Sequence, residues 1–140
     1  MLTVDFDRLA VKKGNVALDA GCGWGRHSVE YIKRGAKVFC LDLDLDSLYK
    51  TRYTIASMIK KGDAPEGSSF LCHIGDTLNL PFKNETFDRI ICSEVMEHVN
   101  DEFQACAELS RVLKKNGRIA ITVPTFFSEI IYDAITYEYF

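Results

Sequence analysis

The chain has 140 residues, of which 47% are hydrophobic and 26% are charged, and its formal net charge at pH 7 is -3. This length and composition are typical of one globular domain with its own core, so residues 1–140 are interpreted as a single domain. The small acidic charge does not favour a nucleic-acid partner. No apolar run approaches the ~20 residues of a membrane-spanning helix, so we expect no membrane span.

Five cysteines are present, Cys22, Cys40, Cys72, Cys92 and Cys106, and no two of them form a C-x-x-C pair. An odd number without such spacing favours neither a disulfide framework nor a zinc site, and we expect no metal. The N-terminus lacks a basic start followed by an apolar stretch, which argues against a secretory signal. Free thiols then indicate a reducing, cytoplasmic compartment.

Apolar runs and amphipathic segments alternate along the chain, which predicts strands that alternate with helices. Strands are predicted at residues 15–20, 36–42, 70–76, 87–94 and 117–124. Helices are predicted at residues 25–35 and 126–140. Two more are predicted to begin at Asp44 and at Asn100, which are their expected N-caps. Basic pairs before glycine, such as Lys114 and Lys115, are interpreted as helix C-termini.

The alternation favours an α/β fold, a doubly wound and mainly parallel Rossmann-like sheet of about five strands with helices on both faces. Strands that are apolar throughout suit a sheet covered on both sides. Crossovers are expected to be right-handed, and similarity to the Rossmann-like fold class implies the strand order 3-2-1-4-5. Ligands of such sheets bind at the carboxyl ends of the strands.

Acidic residues lie at or just past the predicted strand ends; they are Asp19, Asp42, Asp44, Asp76 and Glu94. The carboxyl ends of parallel strands meet at one edge of the sheet, so this edge is expected to be acidic. An acidic edge suits a cationic or hydroxyl-rich ligand and disfavours bare phosphate.

Three glycines, Gly21, Gly23 and Gly25, follow the first predicted strand. Arg26 stands where a dinucleotide-binding G-x-G-x-x-G turn needs its third glycine, which disfavours a nicotinamide oxidoreductase. Asp42 follows at a distance typical of an acid that accepts from both ribose hydroxyls. The alternatives remain that the glycines serve only tight turning and helix packing, and that Asp42 caps a helix.

Four segments resemble, in order and spacing, the motifs of class I S-adenosylmethionine-dependent methyltransferases of the small-molecule branch; they are VALDAGCGWGRHS, VFCLDLD, IGDTLNLPFKNETFDRIICSEVMEHV and RVLKKNGRIAITVP. The resemblance covers residues 12 to 125. It implies a methyltransferase that uses S-adenosylmethionine, releases S-adenosylhomocysteine and methylates a small molecule. Some members of this superfamily methylate RNA, but the basic pairs are predicted at the opposite edge of the sheet.

The resemblance also implies a set of cofactor-binding residues; they are Asp19, Ala20, Gly21, Cys22, Gly23, Asp42, Leu43, Asp76, Thr77, Leu78, Ser93 and Glu94. The glycine turn would lie against the methionine part of the cofactor, and Asp19 would hold its amino group, directly or through water. Asp42 would bind the ribose diol, with Leu43 beside the adenine.

The remaining residues of that set would hold the adenine and the methionine end. Asp76 would accept from the adenine amino group, with the amides of Thr77 and Leu78 at the ring edge. Ser93 and Glu94 would border the methionine end. His98 is the candidate general base for a hydroxyl acceptor, and the alternative is that it is structural.

The family's sheet usually has seven strands, the last two forming a hairpin after the helix that follows the fifth. The chain stops at Phe140, in or just after that predicted helix, so we expect a core without those two strands. The fifth strand would then be an open edge, which predicts a dimer or higher assembly through this edge, or else poor behaviour in solution. A second hypothesis is a module that binds the cofactor but needs a partner chain or the missing segment for catalysis.

Overall fold

The computed structural model describes residues 2–123 and contains a five-stranded sheet. The strands are β1 (Val16–Ala20), β2 (Lys37–Asp42), β3 (Ser69–Ile74), β4 (Phe87–Ser93) and β5 (Leu113–Thr122). They lie in the order β3-β2-β1-β4-β5, and each neighbouring pair is parallel. The predicted fold class and strand order are confirmed, and the helix predicted over 126–140 lies outside the described residues.

Helices cover both faces of the sheet and are α1 (Phe6–Leu9), α2 (Arg26–Lys33), α3 (Leu45–Lys60) and α4 (Glu102–Val112), with a 3₁₀ turn at Met96–His98. One core lies under α1, α2 and α3 and includes Tyr31 and Ile55. The other lies under α4 and includes Phe87 and Leu109. None of the helices within residues 2–123 is long and apolar enough to cross a membrane.

The N-caps of the two longer helices test the boundaries read from the sequence. Asp44 caps α3 as predicted, because its carboxylate accepts a hydrogen bond from the Ser47 amide at 3.2 Å. The predicted cap Asn100 is wrong for α4, where Asp101 accepts from the Gln104 amide at 3.0 Å. Phe103, in the first turn of α4, is half-exposed.

The run from Lys114 to Gly117 was predicted to end a helix, and this prediction is wrong. α4 ends at Val112, and β5 begins at the next residue. Between the pairs Phe87–Leu113 and Arg89–Arg118 the ladder is irregular, with more residues on β5 than on β4. The lysine pair therefore lies in a bulged stretch of strand, where side chains face water without breaking the sheet.

The two edge strands are less buried than the three between them. Leu71 and Ile74 of β3 are each 51% exposed, so the expectation of strands covered on both faces fails at this edge. β5 forms the other edge of the described sheet. Its pairing with a second copy of the chain stays a prediction.

Candidate functional site

A cleft of about 680 Å³ opens at the carboxyl ends of the strands, a volume typical of small-molecule sites. Its walls come from the ends of four strands and the first turn of α2; the lining residues are Gly21, Cys22, Gly23, Trp24, Arg26, His27, Asp42, Leu43, Gly75, Asp76, Thr77, Leu78, Ser93, Glu94, Val95, His98, Val99 and Asn100. Eleven of the thirteen predicted site residues are brought together here, and Asp19 and Ala20 are not among the lining residues.

The glycine turn after β1 is held by the end of β2. The amides of Gly21 and Cys22 both donate to the Leu41 carbonyl, at 2.8 and 2.9 Å. Gly21 has a φ of 74°, and a Cβ added there would overlap the side chain of Val95 across the cleft. Close packing therefore requires glycine at this position, as the simpler interpretation of the motif expected.

Gly23 and Gly25 have different surroundings. A Cβ at Gly25 would lie 2.8 Å from the side chain of Thr51, so this glycine also serves packing against α3. A Cβ at Gly23 would have no atom within 4 Å, and the residue lines the cleft. Gly23 therefore leaves bare backbone facing open space, the arrangement that a closely approaching ligand needs.

Asp42, the last residue of β2, connects the glycine turn to the following loop. Its Oδ2 accepts from the Gly23 amide and its Oδ1 from the Asp44 amide, each at 2.8 Å. The alternative role of helix cap belongs to Asp44 instead. Each carboxylate oxygen has a second acceptor site, so a fixed carboxylate remains able to accept from a ligand's hydroxyl groups.

Asp76 and its neighbours form the adjacent wall. The Asp76 side chain is exposed, and its Oδ1 accepts from the Leu78 amide at 3.0 Å. The Leu78 amide, predicted to face a ligand ring, is thus already bonded within its own turn. Thr77 is buried at the cleft floor, while Leu43 across the cleft is 68% exposed.

Asp19 lies beneath the glycine turn and is 1% exposed. Its Oδ2 accepts a hydrogen bond from the Ser28 hydroxyl at 2.6 Å, which ties the end of β1 to the first turn of α2. Burial raises the pKa of Asp19 from 3.8 to about 6, because a desolvated carboxylate resists ionisation. The carboxylate predicted to meet a ligand's amino group therefore faces α2 in this structure.

The opposite wall of the cleft begins at the end of β4. The Ser93 hydroxyl lies 2.7 Å from that of Thr3 and 2.6 Å from that of Thr122. Glu94 follows with a φ of 56°, and its amide donates to the Thr122 carbonyl at 2.9 Å. A positive φ at a non-glycine residue is strained, and such residues concentrate at functional sites.

His27 was not among the predicted site residues, and it lies in the cleft wall. It is 3% exposed, stacks on Phe6 and accepts from the Thr3 amide at Nε2, over 3.2 Å. Burial lowers its pKa from 6.5 to about 4, so the ring is neutral at pH 7. The available signal was its position in the first turn after the glycines, since that turn borders the ligand edge.

His98 and Trp24 lie at the rim. The His98 side chain is 78% exposed, and its Nε2 is 3.7 Å from Glu97 Oε1. Trp24 is 70% exposed, and the Lys50 ammonium lies 4.0 Å from its ring centroid, within cation–π range. Both side chains border the cleft and are accessible to a ligand bound in it.

The charges around the cleft are mostly negative. Asp42, Asp76 and Glu94 line it together with Arg26. Within residues 2–123, no group of histidine, cysteine and acidic side chains is arranged to hold a metal ion. These carboxylates therefore fit a ligand with cationic and hydroxyl groups better than a phosphate.

Comparison with known proteins identifies a family. The model of the methyltransferase domain family matches residues 18–121, most of the chain. The chain is 33% identical over 108 residues to the demethylmenaquinone methyltransferase of Thermobifida fusca, covering 77% of the chain and 43% of that protein. It is 32% identical over 117 residues to methyltransferase GfsG of Streptomyces halstedii, covering 83% and 40% respectively.

The solved structures agree on the fold. A candidate S-adenosyl-L-methionine-dependent methyltransferase of Methanococcus maripaludis superposes with a TM-score of 0.72 at 22% identity, covering 95% of this chain and 57% of that one. The chain spans about two fifths of the length of the two curated relatives.

Proposed function

The chain belongs to the methyltransferase domain family, and we propose that its cleft binds S-adenosylmethionine for methyl transfer to a small molecule. The observation that carries the proposal is Asp42, whose carboxylate is fixed by two backbone amides and borders the bare backbone of Gly23. When bound, the cofactor supplies a methyl group on a sulfonium, which is already an activated donor. A positive sulfur, an ammonium and a diol suit an acidic cleft.

Different walls of the cleft would hold different parts of the cofactor. Asp42 would accept from the ribose hydroxyls, and the exposed Leu43 side chain would pack on the adenine. Asp76 would accept from the adenine amino group, with the Thr77 amide at the ring edge. The residues of the turn, Ala20 to Gly23, would lie against the methionine part.

Three further residues of the predicted set act nearer the reacting end. Ser93 and Glu94 would border the methionine end from the β4 side. Asp19 would act from beneath the turn by fixing Ser28, which positions the first turn of α2. Positioning and exclusion of water are the main contributions that a protein makes to this displacement.

The acceptor would enter between the rim residues Trp24 and His98. Val95 and Val99 also line this side, so the entrance offers apolar surface. Demethylmenaquinone, the acceptor named for the first relative, is the first compound to test because such a surface suits an apolar ring. His98 is proposed as the general base for an acceptor that must lose a proton.

The binding step is tested by titrating the protein with S-adenosylhomocysteine and, separately, with NAD. Trp24 is the only tryptophan and lines the cleft, so its fluorescence should change on binding, in parallel with the calorimetric heat. Asp42→Ala should weaken S-adenosylhomocysteine binding by about 1.5–3 kcal/mol, because bonds to a charged group are lost. Asp63→Ala, at an exposed loop after α3, is the matched control and should bind like the unmodified chain. Binding of NAD alone would overturn the proposal.

A methyl-transfer assay distinguishes a chain that catalyses the reaction by itself from a module that only binds the cofactor. With labelled S-adenosylmethionine and demethylmenaquinone, the chain should produce methylated product, and His98→Ala should lower turnover while leaving S-adenosylhomocysteine affinity unchanged. Tight S-adenosylhomocysteine binding without any transfer would instead favour the alternative, a module that needs a partner chain or further sequence for catalysis.

A further inference from the structure

Three cysteine thiols form a row across the sheet, from its β3 edge to the glycine turn. Cys72 of β3 is paired in register with Cys40 of β2. The Cys40 side chain is adjacent to those of Cys22 and Cys72. Cys22 lines the cleft, and its sulfur lies 3.9 Å from the Thr51 hydroxyl. The row therefore links a partly exposed strand edge to the cleft.

The three thiols differ in their access to solvent. Cys40 is fully buried, Cys22 is 6% exposed, and Cys72 is only partly buried on the edge strand. No metal-binding arrangement includes them in the part of the chain that the structure describes. The other two cysteines, Cys92 and Cys106, are both buried in the core on the opposite face of the sheet. They serve as a comparison for the row, because neither of these two thiols is exposed.

The surroundings favour reaction at one thiol of the row. The neighbouring Cys40 thiol and Arg52 lower the pKa of the Cys72 thiol. Contact with Cys22 and Cys72, together with burial, raises the pKa of the Cys40 thiol. The thiolate is the nucleophilic form. Cys72 is therefore the most accessible thiol of the row, and its pKa is lowered whereas that of Cys40 is raised.

We propose that Cys72 is a site of oxidation by hydroperoxides and that it then forms a disulfide with Cys40. Paired residues of neighbouring strands have Cα atoms about 4.8 Å apart, within the span that a disulfide accepts. The bond forms when the two side chains rotate toward each other and the two strands approach slightly at this pair, so that the Cβ atoms come within disulfide range.

The chemistry proceeds in two balanced steps. With hydrogen peroxide, the Cys72 sulfur forms an S–O bond while the O–O bond breaks; hydroxide leaves and is protonated to water, giving a sulfenic acid. The Cys40 sulfur then forms the S–S bond, the S–O bond breaks, and the leaving hydroxide takes the Cys40 proton as water. Two thiols are oxidised, and one peroxide is reduced by two electrons.

Disulfide formation also changes the cleft, and this consequence rests on the proposed function. When the Cys40 sulfur turns toward Cys72, the adjacent Cys22 side chain in the glycine turn loses its contact with it. Because that turn would lie against the methionine part of the cofactor, oxidation should weaken S-adenosylhomocysteine binding roughly threefold, comparable to the loss of one modest interaction.

The site is tested by treating the whole chain with equimolar hydrogen peroxide, alkylating the free thiols and mapping the peptides by mass spectrometry. We expect a Cys40–Cys72 cross-link with the loss of two hydrogen atoms, while Cys22, Cys92 and Cys106 remain alkylated. A Cys92–Cys106 bond, a Cys22–Cys40 bond, or Cys72 left as a free thiol would each overturn the proposal. This readout does not depend on any ligand.

Variants of Cys72 test the link to the cleft. Cys72→Ser and Cys72→Ala should both abolish the cross-link and leave S-adenosylhomocysteine affinity insensitive to peroxide; two variants are used in case one fails to fold. In the unmodified chain, a dithiol reductant should restore the affinity. An oxidised chain that carries the cross-link and binds as tightly as the reduced chain would overturn the coupling. Absence of ligand binding in both forms would contradict the proposed function while the peptide map still tests the thiol site.

Discussion

The two halves of the cleft are built in different ways. The turn half consists of residues 21–24, 42–43 and 75–78. Its two carboxylates accept from backbone amides, Asp42 from those of Gly23 and Asp44 and Asp76 from that of Leu78. The β4 half consists of residues 93–100, and it depends on side-chain contacts with distant segments. Ser93, for example, meets the hydroxyl of Thr3, 90 positions away.

The first turn of α2 joins the two halves. Ser28 donates to Asp19 under the turn half, and the preceding residue, His27, accepts from the Thr3 amide beside the β4 half. Backbone amides hold a carboxylate whatever the neighbouring side chains are, whereas the β4 half needs particular hydroxyl and imidazole groups. Substitutions in the turn half should therefore affect ligand binding first, and those in the β4 half should affect stability first.

The largest effect is expected where the two halves touch. Gly21→Ala adds a Cβ that overlaps Val95 of the β4 half, at a backbone φ that disfavours alanine. Left-handed strain and overpacking together should lower the free energy of unfolding by about 4 kcal/mol and abolish S-adenosylhomocysteine binding. Denaturant unfolding and calorimetric titration measure the two effects.

Gly62→Ala is the matched control for that substitution. Gly62 has a φ of 78°, close to that of Gly21, but a Cβ there meets no atom within 4 Å. Only the backbone strain applies, so the loss should be about 1–2 kcal/mol, with binding unchanged. Equal losses for the two variants would show that contact between the halves contributes nothing.

The next largest effect is a pH dependence that has opposite signs in the two halves. The pKa of Asp19 is raised from its ordinary 3.8 to about 6 in the folded chain, so the folded form binds more protons than the unfolded form between about pH 4 and about pH 6. Its contribution to stability therefore falls by about 3 kcal/mol as the pH rises from about 4 to about 6. His27 titrates at about 4, below its ordinary 6.5, so its contribution rises over a similar range.

The two contributions oppose each other in the unmodified chain, and single variants separate them. Relative to that chain, Asp19→Asn should gain stability as the pH rises from about 4 to about 6. His27→Gln should lose relative stability as the pH rises from about 4 to 6.5. Urea unfolding at several pH values measures both differences, with the exposed Asp63→Asn as control. If the stability of Asp19→Asn relative to the unmodified chain does not vary with pH, the Asp19 carboxyl does not have a raised pKa. If that of His27→Gln does not vary with pH, the His27 ring does not have a lowered pKa.

These contrasts also explain how much could be predicted from the sequence. The turn half follows from local patterns, since the glycines, Asp42 and Asp76 each lie next to a strand end. The strand order was expected only because the alternation of strands and helices is that of a known fold class. The bond between Asp76 and the Leu78 amide is also local, but a motif match alone did not indicate that this amide was occupied.

The features that were not predicted, or were predicted wrongly, have two kinds of physical cause. Long-range contacts leave no periodic signal, which is why the association of Thr3 with His27 and Ser93 was not predicted. Competing local signals account for the rest. Lys114 and Lys115 before Gly117 have the composition of a helix end, yet they form the irregular start of β5 because the helix has already ended at Val112.

The smallest effect concerns that long-range contact. Thr3→Val keeps the shape of the side chain but removes the hydroxyl near Ser93 and His27, which should lower the free energy of unfolding by about 1 kcal/mol. The turn half does not use this hydroxyl, so S-adenosylhomocysteine affinity should change less than twofold, within about 0.4 kcal/mol. Thr54→Val removes an exposed hydroxyl that bonds only within α3 and should cost less stability. A variant that loses affinity while keeping its stability would reverse the division between the halves, because the β4 half would then act on the ligand directly.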